Sequence, residues 1–194
     1  MLRNTTGGYG AVAIAFHWTM AVLLLVLVGL GLYMTGLEQN DPSLFPLYQL
    51  HKSLGLAALA LAVLRLGWRT VNPSPRLPQT MPRLEKAAAH LGHAGLYALM
   101  LAIPLSGWLM VSASPWGIPT VFFNLFNVPH LPVPDALGEK AAAEALLKEV
   151  HEVLGWFLIV LVGLHAAAAL KHHFISRDTV LRRMTSLKPV AETR

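Results

Sequence analysis

Four apolar segments constrain this chain more than any other feature of its sequence. They run over about Ala11–Met34, Tyr48–Trp68, Ala89–Ser112 and Leu147–Lys171. A helix that crosses a lipid bilayer needs about 20 mostly apolar residues, and lipid offers its backbone no hydrogen-bond partners outside the helix. The sequence therefore predicts an all-α fold, an integral membrane four-helix bundle, with residues 1–194 forming a single transmembrane domain.

The segments between these spans differ in length and character. Residues 72–82 are rich in proline and predict a short irregular turn. The connection 113–146 is longer, and its Ala-, Glu- and Lys-rich stretch Asp135–Leu147 predicts a short surface helix that leads into the fourth span. Pro104 lies inside the third span, where membrane helices tolerate a kink.

Lysine and arginine are distributed unequally between the two ends of these helices. The N-terminus, the second connection and the C-terminal tail carry 12 of the 15, so the positive-inside rule predicts that both termini are cytoplasmic. The opposite side carries seven of the ten acids, which gives it a formal net charge of −4 against +9 for the cytoplasmic side. This asymmetry explains the overall charge of +5 without nucleic acid as a partner. It predicts a multi-pass protein in the lipid of a bacterial inner (cytoplasmic) membrane.

Histidines inside the predicted spans are the strongest functional signal, because an ionisable side chain in a membrane helix is costly and indicates function. His151 and His165 lie fourteen residues apart on the fourth span. That is close to four helical turns, so their imidazoles share one face about 21 Å apart. Two metal centres near opposite membrane surfaces are the natural interpretation. The chain has no cysteine, which excludes covalent c-type haem and thiolate-bound iron–sulfur clusters and favours two b haems.

Depth within the membrane predicts which histidines share a metal. His51 and His151 each lie about one turn inside the periplasmic end of their span, and each has a glycine four residues later, Gly55 and Gly155. A residue at that position lies one turn away on the same face, and glycine there leaves room for a flat macrocycle. His51 and His151 are therefore predicted to hold a periplasmic-side haem iron.

A second pair is predicted at the cytoplasmic side. His17 and His165 lie about six residues inside the cytoplasmic ends of their spans, so they match in depth. His93 competes for this site but lies nearer the surface, and His90 lies nearer still. These two neighbours could bind a propionate or a quinone headgroup, or simply lie at the interface. The prediction is that His17 and His165 hold the second haem iron.

Arg65 is the other buried charge. It follows His51 by fourteen residues, as His165 follows His151. It should thus reach the depth of the cytoplasmic-side haem, where propionates need cationic partners. Snorkelling of an arginine near a helix end is an equal alternative. For the histidines, the alternatives are interhelical hydrogen bonds and zinc, although zinc wants three or four ligands at one depth.

At these residues the chain resembles the bacterial cytochrome b561 family of small four-helix di-haem b membrane proteins. The resemblance covers most of the chain. Its motifs are Phe16-His17-Trp18, the run His51–Gly55, the run Ala89–His93, Pro104 followed by Gly107, and the run Gly163–Leu170 with His172-His173 behind it. It implies haem irons held by His17 with His165 and by His51 with His151, in agreement with the pairing from depth. It also implies ubiquinone as the electron acceptor and His172 as a quinone-site residue.

One member of this family passes electrons from superoxide to ubiquinone, so the resemblance implies a superoxide:ubiquinone oxidoreductase. Superoxide is an anion and needs local positive potential, which Lys52 and Lys148 beside the periplasmic-side histidines would supply within an acidic surround. That surround equally suits a basic electron-transfer partner. The alternatives are therefore an electron-carrier subunit that links a periplasmic dehydrogenase or cytochrome to the quinone pool, and a membrane scaffold or transporter with structural histidines.

Overall fold

Four long helices dominate the computed structural model, which describes residues 1–186. They are α1 (Ala11–Thr35), α2 (Leu44–Val71), α3 (Arg83–Ala113) and α4 (Lys140–Lys171). Within the described residues, these are the helices long and apolar enough to cross a membrane. The predicted fold class, a helical membrane protein with four spanning segments, is confirmed.

Large apolar side chains remain exposed along these helices. Leu25, Leu64, Phe157 and Leu164 are each between 62% and 64% exposed. Water-soluble proteins rarely leave apolar surfaces of this extent uncovered, whereas a bilayer offers such side chains an apolar solvent. The surface of the helices is thus built to face lipid.

The helices extend beyond the predicted spans, most clearly before the fourth. A single 3₁₀ turn occupies Asp135–Leu137, Gly138 follows with a φ of +79°, and the chain from Lys140 onward already belongs to α4. The surface helix predicted over Asp135–Leu147 is thus present from Lys140 and leads into the fourth span, but it begins later than predicted and forms the first turns of α4. Alanine, leucine, glutamate and lysine all favour helix, so no residue after Gly138 separates this stretch from the apolar span.

A short antiparallel hairpin lies in the connection between α3 and α4. Strand β1 (Thr120–Phe122) pairs with β2 (Phe126–Val128), with Thr120 opposite Val128. Phe123 and Asn124 in the turn have φ values of 45° and 59°, a conformation that side chains other than glycine adopt with strain. The turn therefore needs support from elsewhere in the fold.

Contacts divide the chain into two compact units, and each long helix contributes residues to both. Unit 1 comprises residues 1–20, 61–98 and the described part of 158–194. Unit 2 comprises residues 21–60 and 99–157. The predicted pair His17 and His165 belongs to unit 1, and the predicted pair His51 and His151 belongs to unit 2.

The chain after α4 turns back within unit 1. One π-helical turn, His172–Ser176, ends at Arg177, and a short helix α5 follows at Arg182–Thr185. The indole N–H of Trp18 on α1 donates to the carbonyl of Met184 at 2.9 Å. These contacts fix the end of the described chain near the start of α1. Two cations in the predicted orientation count, Lys188 and Arg194, lie outside the described residues.

Candidate functional site

Unit 2 brings the imidazoles of His51 and His151 together. Their ring centroids are 6.3 Å apart and the rings are inclined at 77°. Two imidazoles on opposite sides of one metal ion have centroids about 6 Å apart, because each nitrogen lies about 2.0–2.1 Å from the ion. The spacing fits an ion held between the two rings.

His151 is oriented by α3. Its Nδ1 lies 3.0 Å from the carbonyl oxygen of Ile103 and 3.1 Å from the hydroxyl of Ser106. A carbonyl can only accept, so Nδ1 carries the proton and donates it to Ile103. The lone pair is then on Nε2, which is the usual arrangement of a metal-binding histidine whose other nitrogen is held by a backbone carbonyl.

Gly107 is the residue that allows this close approach. A β-carbon at position 107 would lie 3.0 Å from Cε1 and 3.1 Å from Nδ1 of His151, which is tighter than ordinary van der Waals contact. The imidazole therefore packs directly on the backbone of α3, just after Pro104. Sequence reasoning noted Gly107 as part of a motif but gave it no role, because its partner lies on another helix.

The other half of this pair has an unsatisfied nitrogen. Nδ1 of His51 is buried and has no hydrogen-bond partner among the described residues. Buried polar atoms without partners are rare and call for an explanation. Gly55 and Gly155, one turn from the two histidines, each have open space where a β-carbon would be. The two open glycine positions fit a large planar ligand such as haem, and the unpartnered Nδ1 leaves Nε2 of His51 as the nitrogen that would face it.

The two lysines of this unit differ in their surroundings. Lys52 is half-buried, and its ammonium donates to the carbonyl of Pro119 at 3.2 Å, so it fastens the hairpin connection to α2. The buried hydroxyl of Ser53 supports the strained turn by accepting the N–H of Phe123 at 3.0 Å. Lys148 is exposed on α4. Lys52 follows His51 directly and Lys148 precedes His151 by three residues, but only Lys52 has the hairpin connection as a structural partner among the contacts described.

Unit 1 assembles three imidazoles rather than two. The rings of His17 and His165 have centroids 6.1 Å apart, and those of His93 and His165 are 5.4 Å apart. The expectation that His93 lies nearer the surface than His165 is wrong. The physical reason is that α3 begins at Arg83, six residues before the predicted start of the span at Ala89, so His93 lies almost three turns into the helix.

Arg65 contacts the pair directly. Its guanidinium lies 3.3 Å from Nδ1 of His17. Because guanidinium has no acceptor, Nδ1 must accept here, which leaves the proton of His17 on Nε2. If His17 held a metal ion through Nε2, its Nδ1 would carry the proton and Arg65 would be available to another acceptor. A haem propionate is an acceptor of the appropriate charge.

Tyr97 links Arg65 to a second cation. The guanidinium carbons of Arg65 and Arg69 each lie 5.4 Å from the centre of the Tyr97 ring, within cation–π distance. Arg69 also donates to the hydroxyl of Ser74 at 2.9 Å. The indole nitrogen of Trp68, between these arginines in sequence, is buried without a hydrogen-bond partner among the described residues. Donors thus cluster beside the histidines of unit 1, where an anionic group would satisfy them.

His172 lies away from these three imidazoles, in the π-helical turn after α4. Its Nδ1 is 2.5 Å from a carboxylate oxygen of Asp178. Residues 1–186 contain no group of three or more His, Asp or Glu side chains arranged to hold a metal ion by themselves. A structural zinc site needs four ligands, so the paired imidazoles suit a haem better than zinc.

Known proteins resemble this chain over nearly its whole length. A sequence model of the prokaryotic cytochrome b561 family matches residues 8–187. Cytochrome b561 homolog 2 of Escherichia coli (strain K12) is 38% identical over 182 residues, which cover 93% of both chains. The probable superoxide oxidase CybB of Yersinia pestis is 29% identical, over 93% of this chain and 97% of that protein. Cytochrome b562 of Cereibacter sphaeroides is 27% identical, over 91% and 94%.

The described geometry and these matches agree on the class of protein. The four apolar helices are those of a multi-pass inner-membrane protein, and the paired membrane histidines suit the haem b that this family binds. On both grounds, this chain belongs to the prokaryotic cytochrome b561 family of membrane electron-transfer proteins.

Proposed function

We propose that this protein binds two b haems and passes single electrons from superoxide to ubiquinone. The observation that supports this best is the pair of imidazoles in each unit, with ring centroids 6.3 Å apart in unit 2 and 6.1 Å apart in unit 1. Haem, when bound, supplies the one-electron redox chemistry, and the protein supplies ligands, orientation and an apolar surround.

His51 and His151 are the proposed axial ligands in unit 2. Ile103 holds His151 in the tautomer that leaves Nε2 free, and Gly107 lets the ring pack on α3. The open positions beside Gly55 and Gly155 leave room for the macrocycle. Together these residues fix one ligand and keep the space beside both ligands clear.

His17 and His165 are the proposed axial ligands in unit 1. Arg65 is the proposed propionate partner, because its guanidinium lies beside His17 and would supply a cationic donor to an anionic group there. Arg69 can join it through the shared Tyr97 ring. His172, held by Asp178, is the proposed contact to the quinone in this unit.

The proposed orientation puts both termini in the cytoplasm, so that His51 and His151 lie near the periplasmic ends of their helices. It is supported by the excess of lysine and arginine near the termini. The formal net charge is +9 on the cytoplasmic side and −4 on the opposite side. Superoxide formed outside the cytoplasm would then meet the His51 and His151 side first. Electrons would leave to quinone on the opposite side.

Superoxide is favoured as the donor by the likeness to a relative that is itself described as a probable superoxide oxidase. The second candidate is a carrier subunit that receives electrons from a basic periplasmic protein. The formal charge of −4 on that side favours this candidate, because complementary charge speeds the encounter of two proteins. Both candidates require the same two haems and differ only in the donor.

A spectrum with a haem count tests the proposal most directly. The purified protein should give a dithionite-reduced minus oxidised spectrum of b type, with two haems per chain, all extractable by acid–acetone because the chain has no cysteine. Rapid mixing with superoxide should then reduce the haem, and added ubiquinone should reoxidise it. One haem per chain would contradict the pairing. Haem that superoxide does not reduce would leave the carrier subunit as the function.

Local positive charge should steer superoxide to unit 2. We expect Lys148→Glu combined with Lys52→Gln to slow reduction of the haem by superoxide at low salt by about 10-fold, the lower end of reported steering effects. Glutamine at position 52 retains a donor for the Pro119 carbonyl, so the hairpin contact survives. Stopped-flow mixing at low and high salt measures the effect, which salt should weaken.

Lys140→Glu is the matched control for this experiment. Lys140 lies on the same helix eight residues before Lys148, about 12 Å further along the axis. At that distance charge is largely screened at 0.1 M salt, so the rate should change little. A neutral small reductant should react equally with all variants. An unchanged superoxide rate at low salt would argue against steering and favour the carrier subunit.

A further inference from the structure

A small network of charged side chains surrounds His172 at the end of α4. Nδ1 of His172 lies 2.5 Å from Oδ2 of Asp178, and Nε2 lies 3.6 Å from Oε2 of Glu85 on α3. The other oxygen of Glu85 binds the ammonium of Lys171 at 2.6 Å. His172 is thus placed between two carboxylates, one on each side of its ring, and all four residues belong to unit 1.

Exposure changes stepwise through this network. The side chain of His172 is 12% exposed, that of Asp178 20%, that of Glu85 33% and that of Lys171 44%. Glu85 therefore reaches from a surface where protons exchange to the nearly buried imidazole. The separation of 3.6 Å between Nε2 and Glu85 is too long for a hydrogen bond. A small rotation of either side chain would bring Nε2 and the Glu85 oxygen within hydrogen-bond distance, and one bridging water would connect them.

Reduction of a quinone has a requirement that haem cannot meet. Conversion to the quinol consumes two electrons and two protons. Two superoxide ions supply the electrons as they are oxidised to dioxygen, but they bring no protons. We propose that Glu85 and Asp178 form a proton relay with His172, which delivers both protons to the quinone. This inference rests on the proposed quinone-reducing function and adds two residues to it.

The relay balances for each proton. The protonated imidazole gives its Nε2 proton to a quinone oxygen, while its Nδ1–H remains bonded to Asp178. The Glu85 carboxyl then returns a proton to Nε2 and is itself reprotonated from water. Asp178 holds the ring through its contact with Nδ1 and is a positioning residue. Lys171, bound to Glu85, is a further charged group in the network.

A purely structural function for the same contacts makes different predictions. Oδ1 of Asp178 accepts the backbone N–H of Val180 at 2.9 Å, which shapes the turn after α4. Asn in place of Asp178 can keep that bond and can still accept from His172, but it has no charge. Gln in place of Glu85 can still accept from Lys171 but cannot carry a proton. These two substitutions on different segments therefore remove the relay chemistry and retain most of the packing.

The test uses full-length protein carrying its haem, reduced anaerobically with dithionite and mixed with a short-chain ubiquinone. We expect Asp178→Asn and Glu85→Gln each to slow haem reoxidation by about 10-fold or more, within the usual range of general acid catalysis. The loss should be larger at pH 8.5 than at pH 6, where free protons are abundant. Ferricyanide accepts an electron without a proton, so its rate and the haem content should not change. Glu149→Gln on exposed α4 is the control carboxylate.

Three results would overturn the relay. Wild-type rates with quinone in both variants at every pH would do so and would leave the proposed function intact. Equal losses with quinone and ferricyanide, or loss of haem, would assign the network a structural function only. A wild-type protein whose haem no quinone reoxidises would refute the proposed acceptor, and the relay with it.

Discussion

Replacing His151 or His51 by alanine should remove one haem and leave the other, so that the haem count falls from two per chain to one. Both imidazoles of the pair are needed. Their 6.3 Å centroid spacing leaves room for one ion between the rings, so each ring supplies one of its two ligands from the protein. With one imidazole removed, the remaining one would have to hold the haem iron of unit 2 alone. Haem extraction and the reduced minus oxidised spectrum measure the loss.

Gly107→Val should reproduce part of this loss without removing a ligand. A β-carbon at this position would lie 3.0 Å from Cε1 of His151, and the added methyl groups would push the ring away from Ile103.

The matched control for the histidine variants is His130→Ala. It removes an exposed imidazole in the connection between α3 and α4, far along the chain from the predicted ligands. Two haems retained in His151→Ala would refute this ligand assignment.

The spanning helices could be predicted from the sequence because a helix that crosses lipid must be mostly apolar along the whole span. Runs such as Ala11–Met34 have no polar residue capable of ending a helix, and α1 ends at Thr35. The start of the helix that contains the fourth span was harder to predict from the sequence. Its helix begins at Lys140, where charged residues alternate with alanine and leucine, and apolarity gives no sign that this polar start and the span are one helix.

The pairing of histidines could be inferred from counted depth, and its one failure has the same cause as the helix boundaries. Depth was measured from the end of the apolar run, but α3 starts six residues earlier, at Arg83. His93 was therefore predicted to lie nearer the surface than His17 and His165, although its ring lies 5.4 Å from that of His165. Apolarity defines where lipid contact begins, and not where the helix begins.

The contacts that orient the paired histidines could not be predicted from one sequence. The carbonyl of Ile103 and the missing side chain of Gly107 matter only because His151 packs on them. Likewise, Glu85 and Asp178 lie 87 and 6 residues from His172 in the chain, and nothing in their local sequence links them. The proposed ligands could be predicted from the sequence, whereas the groups proposed to orient them and to move protons required the fold.

His17→Ala should remove the haem of unit 1 and leave that of unit 2, whereas His93→Ala should leave both haems bound. The reason is spacing. The 6.1 Å between His17 and His165 fits an ion bound between two rings, while the 5.4 Å between His93 and His165 is too short for that arrangement. His93 then lies beside the ligand and should affect only the position of the absorption bands. Haem counts and low-temperature spectra of both variants measure this difference. If His93→Ala removes the haem and His17→Ala does not, α3 rather than α1 supplies the ligand opposite His165.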